Sequence, residues 1–133
     1  MICIDTTVLI DEFRAKGDLS APVNRALLAH GAETLIVPVA AAGEFLDGAA
    51  MVSPARVQEA LALLRRRNVV PSDLDTAEHY GSIASSLRRE RKLDNRSHND
   101  LWIAATAKCH GAGLLTRNPK HFQAVEGLDI IGY

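Results

Sequence analysis

Short apolar runs alternate with longer amphipathic stretches along the whole chain. Ile2-Cys3-Ile4 reads as a short strand that stops at Asp5. Thr7 to Ala15 follows with helical spacing, its apolar positions being Val8, Leu9 and Phe13. Ser20 and Pro22 open a second helix through Leu27 and Leu28 to His30, and Gly31 stops it. Thr34-Leu35-Ile36-Val37 predicts a second strand, and a helix from about Ala41 to Ala50 carries Glu44 in its first turn. Ser53-Pro54 has the form of a cap and first turn for a fourth helix that ends near Arg67. Val69-Val70 predicts a third strand, and Asp73 caps a long helix reaching about Lys92. Asn99 or Asp100 starts the next helix, which ends before Gly111. Leu114-Leu115-Thr116 predicts a fourth strand, Pro119 a short helical turn, and Leu128 to Ile131 a fifth strand.

Strands alternating with helices predict an α/β domain with a mainly parallel sheet of four to five strands. At 133 residues the chain is expected to form a single domain, residues 1–133. In such a sheet the carboxyl ends of the strands and the first turns of the helices meet over the switch-point crevice. That topology brings Asp5, Glu44, Asp100 and Thr116 together from distant parts of the sequence.

Composition narrows the function without naming it. A formal net charge of −1 excludes a strong overall pull on nucleic acid, so any such attraction must come from a local patch. Cys3 and Cys109 sit in apolar company and are expected to be reduced and buried. No apolar run approaches the ~20 residues of a membrane span, and the N-terminus lacks the basic start of a signal peptide. The expected compartment is the cytoplasm.

The acids carry the chemistry. Asp5 follows three apolar strand residues, where an unpaired buried carboxylate would cost several kcal/mol of hydration. It must therefore cap the following helix or bind a cation. Glu44 lies among small and apolar residues with no capping residue before it. Asn99-Asp100 offers two capping residues where one helix needs one, leaving the other for the crevice. Clustered carboxylates repel and raise one another's pKa, and a hard divalent cation such as Mg2+ relieves that repulsion through oxygen ligands and retained waters. Such an ion also polarises a phosphoryl oxygen and lowers the pKa of a bound water.

With those residues in place, the chain resembles the PIN-domain ribonucleases, and among them the VapC-type toxins of toxin–antitoxin pairs. The matching stretches are Ile4-Asp5-Thr6-Thr7-Val8-Leu9-Ile10, Gly43-Glu44-Phe45-Leu46-Asp47-Gly48-Ala49, Asn99-Asp100-Leu101-Trp102-Ile103-Ala104-Ala105-Thr106-Ala107, and Leu115-Thr116-Arg117-Asn118-Pro119-Lys120-His121-Phe122. They run in family order and span almost the whole chain. The resemblance implies a three-layer α/β/α PIN-like fold and an endoribonuclease that uses Mg2+ or Mn2+. It places the metal-site acids on Asp5, Glu44 and Asp100, and the hydroxyl near the metal on Thr116. The family's fourth acidic position falls on Asn118, which removes one negative charge; Asn before Pro is also an N-cap signal. Ala40 and Ala41 stand where Ser or Thr usually precedes the glutamate helix. The resemblance further implies an RNA substrate, a VapB-type antitoxin seated near the helices 8–13 and 23–28, and a homodimer.

Basic residues suggest where RNA phosphates sit. Arg88, Arg89, Arg91, Lys92 and Arg96 directly precede the Asp100 stretch, and Arg117 adjoins Thr116. Arg65-Arg66-Arg67 reads as a helix end favoured by the helix dipole. None of the five histidines pairs with another at ligand spacing, which argues against zinc; His98 is the one closest in sequence to Asp100. Aromatics at 5% disfavour a base-stacking platform, and Trp102 reads as core. Two alternatives stay open on the sequence. One is a weakly catalytic or non-catalytic binding module on the same fold; the other is a metal-dependent phosphoryl-transfer or DNA-cleaving domain.

Overall fold

The computed structural model describes residues 1–93 and 97–133. The elements in chain order are β1 (Ile2–Ile4), α1 (Thr6–Ala15), α2 (Pro22–Ala29), β2 (Leu35–Pro38), α3 (Val39–Ala50), α4 (Pro54–Leu64), β3 (Asn68–Val70), α5 (Leu74–Arg89), α6 (His98–Cys109), β4 (Gly113–Thr116), α7 (Pro119–Phe122) and β5 (Ile130–Gly132). The strands form one sheet in the order β3-β2-β1-β4-β5, and every neighbouring pair is parallel. The sheet thus has the upper number of strands expected and no antiparallel pair.

The central strands are buried on both faces, as a covered parallel sheet requires. Cys3, Ile4, Ile36, Val37, Leu114 and Leu115 are all at most 1% exposed. The first two crossovers, from β1 to β2 and from β2 to β3, move the same way across the sheet, and the third returns to β4. Right-handed crossovers then put α1–α4 on one face and α5–α7 on the other, which makes three layers. Chain order reverses between β1 and β4, so a crevice opens beyond the carboxyl ends of those two strands. The Asp5 N–H donates to the Leu115 carbonyl at 3.0 Å, carrying the β1–β4 ladder to the edge of that crevice.

Several element boundaries depart from the sequence reading, and the departures bear on the site. Helix α1 begins at Thr6, with Asp5 as its N-cap. Helix α3 begins at Val39, directly after the strand, because Pro38 ends β2 and takes the cap position itself. Glu44 consequently stands in the second turn, not the first. Helix α6 begins at His98, capped by Ser97, whose Oγ accepts from the Asp100 N–H at 3.2 Å. Neither Asn99 nor Asp100 is used as a cap. The α2 cap is Ala21 without a side-chain bond, since Ser20 turns instead to Asp18. Helices α4 and α5 stop at Leu64 and Arg89, each three residues short of the expected end. Both cysteines are free, Cys3 fully buried and Cys109 only partly so. Burial pushes the Cys3 thiol far above its ordinary range, with the Asp5 charge adding to it.

Candidate active site

Asp5 forms the floor of the crevice. Its side chain is 4% exposed. Oδ1 accepts from the Thr6 N–H at 2.7 Å, which caps α1. Oδ2 accepts from the hydroxyls of Thr7 and Thr116, each at 2.7 Å. The two readings of Asp5 are therefore compatible: one oxygen caps while the other is held by hydroxyls at the crevice. All of these donors are neutral, and no Lys or Arg among the described residues pairs with the carboxylate. A buried anion surrounded by dipoles alone is the arrangement that an additional cation stabilises.

Thr116, at the carboxyl end of β4, is fully buried behind Asp5. Its hydroxyl donates to Asp5 and accepts from the Asn118 N–H at 3.0 Å. The Thr7 hydroxyl donates to Asp5 and accepts from the Arg117 N–H at 3.2 Å. These two threonines tie the β4–α7 turn to the floor. Asn118 occupies the N-cap position of α7 but makes no side-chain cap bond, and it lines the crevice.

Helices supply the rim. Glu44 is exposed on α3, and its Oε2 accepts from the Thr6 hydroxyl at 3.2 Å and more weakly from the Asn99 amide at 3.4 Å. Asp100 stands in the first turn of α6. Burial holds its carboxyl above the usual carboxylate range, and the Asp5 charge adds to the rise. His121 and Ser97 oppose that shift, the His121 Nδ1 lying 3.8 Å from Asp100 Oδ2.

The cavity enclosed by this floor and rim measures about 290 Å³. Asp5, Glu44, Asp100, Asn118, Thr6, Thr7, Ile10, Ser97 and His121 line it. Among the described residues, no three Asp, Glu, His or Cys side chains form a group able to hold a metal ion between them. The three acids share a cavity without closing into one ligand set. Their donors are all oxygens, which suits a hard cation that keeps waters beside one or two carboxylates.

The basic residues lie elsewhere. Arg117 contributes its backbone to the site, while its guanidinium turns away to Asp11 at 2.5 Å and lines a neighbouring groove. Tyr133 donates to the other oxygen of Asp11 at 2.9 Å. Burial, reinforced by that bond, pushes the Tyr133 phenol well above its ordinary range. Arg88, Arg89, Arg91 and Lys92 are exposed at the end of α5, and none lines the crevice; Lys92 pairs with Glu90 at 2.8 Å. Arg96 lies outside the described residues. Arg67 pairs with Glu12 of α1, so the end of the Arg65-Arg66-Arg67 run is used in packing.

His98 bonds the Tyr80 hydroxyl at 2.7 Å, and Tyr80 stacks on Trp102 with centroids 4.4 Å apart. The histidine at the crevice is His121, which sequence proximity to Asp100 did not single out. Thr6 and Ser97 were missed as well, while Asn99, read as a cap or a crevice residue, reaches Glu44. Ser97 carried a local signal, as the cap of the helix that bears Asp100, but only the crossing of α1, α3 and α6 brings Thr6 and Asn99 to Glu44.

The chain is similar to known proteins over almost its whole length. A family model described as the PIN domain matches residues 2–128. The VapC ribonuclease Y4jK of Sinorhizobium fredii is 31% identical over 98% of this chain and 96% of its own length. Ribonuclease VapC11 of Mycobacterium tuberculosis is 34% identical over 89% of this chain and 87% of its own. Among solved structures, VapBC2 from Rickettsia felis bound to a promoter DNA fragment aligns with a TM-score of 0.84 at 21% identity, covering 100% of this chain and 99% of the other. A toxin–antitoxin complex from Klebsiella pneumoniae aligns with a TM-score of 0.74 at 27% identity, covering 98% and 96%.

Proposed function

The chain belongs to the PIN-domain family, and on that premise we propose that it is a divalent-metal-dependent endoribonuclease, the toxin of a type II toxin–antitoxin pair. Asp5 carries the reading: a buried carboxylate at the switch point, without a basic partner among the described residues, facing Asp100 and Glu44 across one cavity. The ribonuclease names of the relatives support the activity, and their near full-length coverage supports carrying it to the whole chain.

Asp5 and Asp100 would hold Mg2+ or Mn2+, with waters completing the shell. When bound, the ion neutralises charge on the scissile phosphate and lowers the pKa of a water. Thr7 and Thr116 fix the orientation of Asp5. Glu44, steadied by Thr6 and Asn99, stands on the opposite wall to accept a proton or hold a shell water. Asn118 offers a neutral amide in place of a fourth charge, which favours one tightly held ion over two.

The wider assignment follows the same premise: one PIN domain over residues 1–133, in the cytoplasm, acting on RNA, as a homodimer, and neutralised by a VapB-type antitoxin. Among the described residues, no helix is long and apolar enough to cross a membrane. The solved relatives include VapBC complexes, which supports an antitoxin partner.

The test is RNA cleavage with Mg2+ or Mn2+ and with excess chelator, by the unmodified chain and by the Asp5→Asn and Asp100→Asn variants. Each substitution is expected to lower the rate more than ~100-fold, the loss of several kcal/mol of transition-state stabilisation. Full activity in chelator, or in either variant, would refute the reading.

A further inference from the structure

Helix α1 leads out of the crevice. Thr7, Ile10, Asp11 and Arg14 follow the i, i+3, i+4, i+7 spacing of one helical stripe. Thr7 and Ile10 line the acidic cavity. Arg14 stands roughly 10 Å further along the axis from Thr7, at 1.5 Å per residue.

Two grooves flank this stripe. The first, about 210 Å³, has an apolar floor that includes Phe13, Phe45 and Val52; it shares Ile10 and Glu44 with the crevice. The second, about 370 Å³, runs past Pro22 and Val23 to Arg117 and Tyr133. Arg14 lines both grooves.

The cations around these grooves differ in what already engages them. Arg117 is paired with Asp11. Arg56 lies 5.0 Å over the Phe13 ring and pairs with Glu59 at 3.1 Å. Arg14 is exposed and forms no ion pair among the described residues. Its place in the last turn of α1 favours a cation through the helix dipole, but that effect gives no reason for it to border two grooves.

We propose that the RNA strand leaves the acidic crevice along α1, with a backbone phosphate on Arg14 and the adjoining nucleotide against the apolar groove that begins at Ile10. The inference rests on the ribonuclease reading and adds the path of the substrate. The charge of Arg14, unpaired among the described residues, and the lining shared with the crevice select RNA as the occupant, and an antitoxin seated on the same helices would compete with it for this path. Phosphate contacts of this kind position the strand and do not read its sequence. The exposed basic end of α5, named with Arg117 from the sequence as a place for phosphates, lines none of these three cavities.

The test is steady-state cleavage of a short, fluorescently labelled, single-stranded RNA of randomised sequence, over a range of salt concentrations. Arg14→Gln is expected to raise KM by up to about tenfold with kcat unchanged, the loss of one charge-assisted contact. It should also lower the log–log salt slope by about 0.7, as for one phosphate contact on a single strand. Arg14→Lys should restore most of the slope, and Arg65→Gln, an exposed cation that lines none of these cavities, should change neither quantity.

An unchanged KM and slope in Arg14→Gln would overturn the path, as would an Arg65→Gln effect larger than that of Arg14→Gln. So would a fall in kcat at constant KM, which would mark Arg14 as structural. Weakened binding of a protein partner with normal RNA kinetics would assign the groove to that partner and also overturn it. Each of these outcomes leaves cleavage by the unmodified chain intact. Absence of that cleavage would remove the ribonuclease reading, and the path with it.

Discussion

The two sides of the crevice are built on different principles. The floor comes from strand ends: Asp5 and Thr116 are buried, and Asp5 accepts one backbone and two hydroxyl hydrogen bonds at 2.7 Å. The rim comes from helix turns: Glu44 is exposed, its contacts are 3.2 and 3.4 Å, and His121 approaches Asp100 only to 3.8 Å. Strand ends in a parallel sheet are located by the ladder on both sides, so their side chains have little freedom. Helix-borne acids at the mouth can shift toward a ligand. The floor thus supplies a pre-oriented carboxylate, and under the proposed function the rim would supply the ligands that adjust to an ion and a phosphate.

The largest expected effect tests the floor. Asp5→Asn preserves the shape and keeps one oxygen to cap α1, but it sets an amide NH2 where Oδ2 accepts from Thr7 and Thr116. It should remove activity by more than ~100-fold while leaving the metal-free melting temperature close to that of the unmodified chain, because loss of that acceptor is offset by loss of a buried charge that repels Asp100. A large drop in metal-free stability would mean that the Asp5 charge is structural and not held for a cation.

Next in size is the response to the ion. Saturating Mg2+ or Mn2+ at about 100 times its dissociation constant should stabilise the fold by about 2.7 kcal/mol, read as a rise in melting temperature. Asp5→Asn should abolish the rise, and Glu44→Gln should only reduce it. An equal loss in both variants would erase the proposed distinction between floor and rim.

Thr116→Val probes what holds the floor. It leaves the Asn118 N–H without its acceptor and Asp5 Oδ2 without one donor. A cost of about 1–3 kcal/mol in denaturant unfolding is expected, together with reduced kcat. The matching rim change, Thr6→Val, should reduce activity less, because Glu44 keeps its Asn99 contact.

The smallest effect is a pH dependence. The Asp100 carboxyl is raised in the folded protein, mainly by burial and then by Asp5. The metal-free fold therefore binds more protons than the unfolded chain as Asp100 titrates. Its contribution to stability is fully present below the ordinary carboxylate pKa and is lost as pH rises through the elevated one. Melting temperatures of metal-free protein should show this fall, and Asp100→Asn should flatten it. A saturating divalent ion should reverse the trend, since it binds the ionised form.

Much of this was legible in the residues themselves. The α/β class, the strand identities and the place of Asp5 and Thr116 at one end of the sheet followed from apolar periodicity, and the cost of burying charge singled out Asp5; the grouping of Glu44, Asp100 and Thr116 with it rested on topology and on the resemblance to the PIN family. Helix starts were less legible. Ser97 outcompeted Asn99 and Asp100 as a cap, and Pro38 began α3 without any side-chain cap. Local rules rank capping residues, but they do not say which one the packing of the helix will place at its end.

Sequence by itself determined which groups could do chemistry: oxygen donors at the ends of strands and in early helical turns, in an order that matches the PIN family. Only the tertiary structure decided how those groups are used. It neutralised Arg117 with Asp11, turned His98 to Tyr80 and brought His121 to Asp100. It also left Arg14 bordering the two grooves beside the crevice, and Arg88 and Arg89 on none of these three cavities. The physical reason is that residue type and spacing act locally along the chain, whereas the partner of a charge depends on which elements the sheet order and the right-handed crossovers bring side by side.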